Sequence, residues 1–147
     1  MVTRDGTEAG SGPAPDPGEI DLERVICALH ELEDPGSRGF RLGAGPWPLR
    51  GFVVRRGDVV RAYLNHCPHA GHPLNLREHE FLARREQPGP PLILCRSHGA
   101  LFETGSGVCV AGPCVGAALR GLEVRIDRGY VLLGDAVPLE EPADLGR

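Results

Sequence analysis

The sequence predicts an all-β fold, and three features carry that reading: apolar runs of strand length, turn residues between them, and too much glycine and proline for a helical bundle. Among 147 residues there are 21 Gly and 14 Pro, and each weakens or breaks a helix interior. The apolar runs are VICAL at 25–29, GFVV at 51–54, VVRAYL at 59–64, LILC at 92–95, LEVRI at 122–126 and YVLL at 130–133. Each is long enough for a strand and too short for an ordinary helix.

In chain order, residues 1–19 are rich in Gly, Pro, Ser and acidic groups and can bury almost nothing, so they are expected to form a flexible tail. A single domain is expected over 20–136, followed by a C-terminal tail over 137–147. Arg55-Arg56-Gly57-Asp58 lies between two apolar runs, with a glycine free to take positive φ, and reads as a hairpin turn. Gln87-Pro88-Gly89-Pro90 precedes LILC and reads the same way. Residues 76–85 fit a turn or two of helix or, through Phe81-Leu82-Ala83, a strand. Asp127-Arg128-Gly129 closes a terminal hairpin.

Size allows one domain with a real core but not two ordinary ones. The formal net charge of −4 offers no concentrated basic surface for nucleic acid or an anionic membrane. An odd number of cysteines, five between Cys27 and Cys114, does not suggest the disulfide framework of a small secreted protein and fits a reducing cytoplasm. With no apolar signal core, twin arginine or membrane-length stretch, the expectation is a soluble, cytoplasmic protein.

Two segments carry the chemistry: Cys67-Pro68-His69-Ala70-Gly71-His72 and Cys95-Arg96-Ser97-His98-Gly99. The spacings are Cys-x-His and Cys-x-x-His. Each segment follows a predicted strand, so each ligand pair sits where a strand gives way to a loop, and two such loops can face each other. Pro68 stiffens the first loop, while Gly71 and Gly99 let the backbone bend and aim amides at an anion.

This pair of motifs resembles the Rieske iron–sulfur family, in which two thiolates hold one iron and two imidazoles the other. The likeness extends to the glycine after His98, to Phe102, to Thr104-Gly105 and to Gly112-Pro113, which matches the family's third, proline-containing loop. It implies an antiparallel β sandwich with an inserted two-loop cluster-binding subdomain. It also implies one 2Fe-2S cluster, with Cys67 and Cys95 on the inner iron and His69 and His98 on the outer. Residues 70–94 separate the motifs more widely than the family usually does, and the excess is expected in a hairpin with a polar tip at 84–89. A zinc site is the main rival for two Cys and two His, although zinc gives no reason for the GALFETG and Gly-Pro segments that follow.

High-potential members carry an extra cysteine in each loop, and those places resemble His72 and Ser97 here. Their serine and tyrosine donors to the cluster correspond to Ala100 and Phe102. Without those donors the reduced state is less stabilised, which implies a potential near the bottom of the Rieske range, about −150 mV. A complete oxygenase needs a second, mononuclear iron site on a large extra domain, for which the chain has no room.

The resemblance therefore implies an electron-transfer component that is not catalytic alone: a ferredoxin-type carrier between a reductase and an oxygenase or similar acceptor. The alternative is a small Rieske-like subunit of a larger redox enzyme such as assimilatory nitrite reductase. A third reading, a redox sensor, would involve Cys109 and Cys114, which read either as buried packing residues or as a redox pair. Cys27 reads as core and His79 as surface. His66 and His72 could tune the site or stand in solvated loops, and Arg96 could serve the cluster or nothing specific.

Overall fold

Strands β1 (Val25–Ala28), β2 (Gly36–Leu42), β3 (Leu49–Arg56), β4 (Val59–Leu64), β5 (Leu92–Leu94), β6 (Leu101–Glu103), β7 (Cys109–Ala111), β8 (Gly121–Leu122), β9 (Val124–Asp127) and β10 (Tyr130–Leu133) build the chain, joined by turns and two short 3-10 segments. The structure is a computed structural model, and it describes residues 20–68, 71–83 and 89–143. The expected tail at 1–19, His69 and most of the polar hairpin tip, 84–88, lie outside the described residues.

Three antiparallel sheets form, in the orders β1-β10-β9, β2-β3-β4-β8 and β5-β6-β7. The four-stranded sheet is central because β3 is apolar on both faces. Val53, Val60 and Ala62 turn one way and pack with Cys27 and Val131 of the first sheet. Phe52, Val54 and Tyr63 turn the other way and pack with Phe81, Ile93 and Phe102 on the side of the third. A strand covered on both faces loses the polar alternation of a half-exposed one, which is why GFVV runs uninterrupted. Leu49 and Leu64 join Leu133 in a further buried cluster. Each such side chain, taken fully out of water, contributes about 1.5–3 kcal/mol.

The expected hairpins form at Gly57-Asp58, where Arg56 pairs with Val59, and at Arg128-Gly129, where Asp127 pairs with Tyr130. LEVRI is divided: Leu122 belongs to β8 on the central sheet, and Val124 begins β9 on the first. The crossing at Glu123 lets one short stretch bridge two sheets. VICAL is strand only to Ala28, after which a 3-10 turn takes Leu29–Glu31.

The described part of residues 76–85 is turn, with neither a helix nor a full strand. Leu82 makes an isolated bridge to Ile93, and Phe81 stacks on Phe52 with ring centroids 4.2 Å apart and planes 8° from parallel. Sequence reading missed β2, whose GSRGFRL has few apolar residues because it is an edge strand. Residues 137–143 do not trail away from the body. Val137 and Leu139 pack against the Leu49–Leu64–Leu133 cluster, and the Arg24 guanidinium donates to the carbonyls of Gly134 and Val137 at 2.7 and 2.8 Å.

The third sheet and its two flanking loops are inserted between β4 and β8. The Tyr63 hydroxyl, on the central sheet, donates to the Thr104 carbonyl at 2.7 Å and ties the insertion to its base.

Candidate metal centre

Each motif cysteine stands just past a strand end, Cys67 three residues after β4 and Cys95 immediately after β5. The two turns they open share one hydrogen-bond frame. The Cys67 carbonyl accepts from the Gly71 N–H at 2.8 Å, and the Cys67 N–H donates to the His72 carbonyl at 2.8 Å. In the second turn the Cys95 carbonyl accepts from the Gly99 N–H, and the Cys95 N–H donates to the Ala100 carbonyl, both at 2.9 Å. Gly71 and Gly99 both take φ +75°, a backbone region that strains most side chains, so glycine is required in both turns. The repeat explains why Cys-x-His and Cys-x-x-His, unequal in spacing, are each followed by glycine four residues after the cysteine.

The two loops are bound to each other, because the Arg96 N–H donates to the Leu74 carbonyl at 2.8 Å. Cys67 and Cys95 are fully buried, 0% exposed, and their thiols hydrogen-bond. Burial pushes the Cys95 thiol above its ordinary pKa, the Cys67 thiol adds to the rise, and the amides of Ser97 and His98 oppose it. Those two amides are donors already aimed at the sulfur. His98 is exposed, so the site has sulfur inside and imidazole outside.

The surrounding residues differ in what they do. The His72 ring lies 6.5 Å from that of His98, inclined by 26°. His66 lines the inner side of the first turn, where a side chain at Gly71 would come within 3.6 Å of its ring. The Arg96 guanidinium is engaged by the Glu80 carboxylate at 3.7 Å. His79 is more than a surface residue: its Nδ1 accepts from the Gly39 N–H at 3.1 Å, and its carbonyl accepts from the Ser37 hydroxyl at 2.8 Å.

Ala100 and Phe102 are fully buried beneath the second turn. The third loop rests on them, since a methyl group at Gly112 would fall 2.8 Å from the Ala100 Cα. Cys109 and Cys114 are buried in this loop with their sulfurs 3.1 Å apart. Burial, the Cys109 thiol and the thiols of Cys67 and Cys95 push Cys114 up to about 12. Sequence reading left this pair open between buried packing residues and a redox pair, and did not find the amide side chain of Asn65. The latter accepts from the Leu74 N–H at 2.8 Å through Oδ1 and donates to Asn75 Oδ1 at 2.9 Å through Nδ2, closing the first loop.

Residues 23–125, well over half of the chain, match the family model described as the Rieske [2Fe-2S] domain. The chain belongs to the Rieske family. No protein of curated function matches the sequence. Among solved structures, the ferredoxin of carbazole 1,9a-dioxygenase from Nocardioides aromaticivorans IC177 is 27% identical at a TM-score of 0.56, with 74% of this chain and 93% of that one covered. A complex of reduced oxygenase and oxidised ferredoxin in carbazole 1,9a-dioxygenase matches at 24% identity and a TM-score of 0.57, covering 79% of this chain and 95% of the other. A putative small subunit of NADPH nitrite reductase matches at 17% identity and a TM-score of 0.51, covering 74% and 94%; at that identity the likeness is one of fold alone.

A Rieske domain binds one 2Fe-2S cluster, and the residues present fit it. Two buried soft donors with amides directed at one sulfur suit an iron–sulfide core, and the exposed imidazole of His98 lies in the turn that Cys95 opens. No described helix is long and apolar enough to cross a membrane.

Proposed function

We propose that Cys67 and Cys95 hold the inner iron as thiolates, that His69 and His98 hold the outer iron as neutral imidazoles, and that the chain is a soluble, cytoplasmic one-electron carrier from a reductase to an oxygenase-type acceptor. The observation that carries this reading is the pair of matching turns that bring Cys67 and Cys95 together in a buried position, with His98 at the surface. A ferredoxin of a dioxygenase, 27% identical and matched over 93% of its length, supports a carrier that serves an oxygenase.

When bound, the cluster supplies reversible one-electron chemistry. The protein's own residues set the terms of that chemistry. Cys67 and Cys95 anchor from inside, and the Ser97 and His98 amides stabilise negative charge on the Cys95 sulfur. His98 brings a ligand to the protein surface, where the electron's path to a partner is shortest. The buried Phe102 and Ala100 bring no side-chain donor toward the site.

The test is iron and acid-labile sulfide analysis with electron paramagnetic resonance after dithionite reduction. Equal iron and sulfide and a rhombic signal of low average g are expected; stoichiometric zinc without sulfide would overturn the assignment. A large redox subunit that stays with the chain through purification would favour the nitrite-reductase-type alternative, whose small subunit has this fold.

A further inference from the structure

Outside the ligand set, two more sulfurs lie together in the third loop. Cys109 opens β7 and Cys114 follows five positions later, after Gly112-Pro113. The backbone returns on itself around them: the Cys109 N–H donates to the Ala117 carbonyl at 2.8 Å, the Gly116 N–H to the Cys109 carbonyl at 3.3 Å, and the Ala117 N–H to the Cys114 carbonyl at 2.8 Å. Inside this frame the Cys114 thiol donates to the Cys109 sulfur at 3.1 Å, and the Cys109 thiol donates to the Ala111 carbonyl at 3.2 Å.

We infer that Cys109 and Cys114 form a reversible intrachain disulfide, a redox-controlled clip across the third loop beside the cluster site. A disulfide needs its sulfurs about 2.0 Å apart, so the existing separation of 3.1 Å closes with a shift of about 1 Å. The two thiol hydrogen bonds, from Cys114 to the Cys109 sulfur and from Cys109 to the Ala111 carbonyl, are given up. The backbone bonds that hold the loop stay as they are.

The oxidant is a low-molecular-weight disulfide, of which oxidised glutathione is the probe. Cys114, the more exposed of the two at 9% against 2%, holds its proton tightly, so the exchange is slow at neutral pH and runs through the small thiolate fraction of Cys114, which attacks one sulfur of the probe and expels one glutathione thiolate. Cys109 then attacks the Cys114 sulfur of the mixed disulfide, forms the intrachain bond and expels the second. Two electrons pass from the cysteines to the probe, and their two protons pass to the expelled thiolates, giving two reduced glutathiones. With both sulfurs joined, Gly112 is held down on Ala100, and with it the lid over the second ligand turn.

The experiment uses the full-length holoprotein equilibrated across ratios of oxidised to reduced glutathione, then blocked with N-ethylmaleimide in denaturant and digested with trypsin. Both cysteines fall in the tryptic peptide 97–120. Under oxidising ratios this peptide is expected to be two hydrogens lighter and to carry no maleimide. Dithiothreitol should restore two maleimide sites, and Cys27 should stay alkylatable throughout. The C114S variant should never give the lighter peptide.

Two maleimides on the peptide at every ratio would overturn the clip, as would a persistent glutathione adduct on Cys114 or a link from Cys114 to any other cysteine. Iron and sulfide measured on the same samples report separately on the cluster assignment, because the peptide masses do not depend on which residues bind iron.

Discussion

Asn65 and Asn75 hold the ends of the first ligand loop together, Nδ2 of the one donating to Oδ1 of the other at 2.9 Å, while Asn65 Oδ1 accepts from the Leu74 N–H at 2.8 Å. Asn75 is itself fixed, since its amide donates to the Arg77 carbonyl at 2.9 Å. The loop carrying Cys67 is thereby closed by side chains, where a longer sheet would have closed it by backbone pairing. An Asn65→Ala variant leaves the Leu74 N–H without its acceptor, at a cost of about 1–3 kcal/mol. The expected outcome is a lower unfolding midpoint and faster loss of iron to a chelator, measured by thermal denaturation and by cluster absorbance over time.

By the resemblance to high-potential Rieske members, Ala100 and Phe102 stand at the places where those members carry hydroxyl donors to the cluster. Ala100→Ser and Phe102→Tyr should each raise the reduction potential, because a donor to the more negative reduced state stabilises it. A bond worth about 1.5 kcal/mol more in the reduced state corresponds to about 60 mV for one electron. Protein-film voltammetry at neutral pH checks this, starting from a wild-type value expected near −150 mV, the lower end for such centres. A wild-type midpoint at the upper end of the range would sink the argument.

The stacked pair Phe52 and Phe81 joins the central sheet to the segment leading into the second ligand strand. Both rings are fully buried, so Phe81→Ala should cost about 3–5 kcal/mol. Urea unfolding is expected to show the loss as a lower midpoint. Phe81→Leu, which keeps most of the volume, should recover much of it.

Gly112 holds φ +99°, and a methyl group there would lie 2.8 Å from the Ala100 Cα. Gly112→Ala must therefore both strain its own backbone and lift the third loop. The expected result is a cluster more open to water, seen as faster bleaching in air than in the wild type. The fold itself should persist, with far-ultraviolet circular dichroism unchanged.

Cys27 offers a pH dependence separate from the metal centre. Burial, the largest cause, lifts its thiol from 9.0 to about 11, with Arg38 opposing and Glu31 assisting. The folded chain thus holds this proton more tightly than the unfolded chain. The stability it contributes is complete below about pH 9 and is lost as pH rises toward 11, at up to about 1.4 kcal/mol per pH unit. Chemical denaturation from pH 8 to 11 should show a shallower decline in Cys27→Ala than in the wild type.

The local code is legible wherever neighbours in the chain determine the conformation. Gly57-Asp58 and Arg128-Gly129 turn where their glycines allow, and most of each apolar run becomes strand because its length and composition favour one. The candidate ligands and their glycines are likewise present in the primary structure: Cys67 and Cys95 each precede by four positions a glycine that adopts φ +75°. Strands with weak apolar signal, such as β2, escape such reading because their stability comes from the partner strand and not from their own side chains.

From sequence alone this protein's fold class and its Rieske kinship could be read, and its candidate ligands proposed, since motif chemistry and turn residues act over a few positions. Tertiary structure decided which sheet each half of LEVRI joins, that Asn65 closes the first loop on Asn75, that residues 137–143 pack on the body, and that Cys109 meets Cys114. Those outcomes depend on which distant surfaces must be buried together, and on side chains finding partners that only the folded chain brings within hydrogen-bond reach.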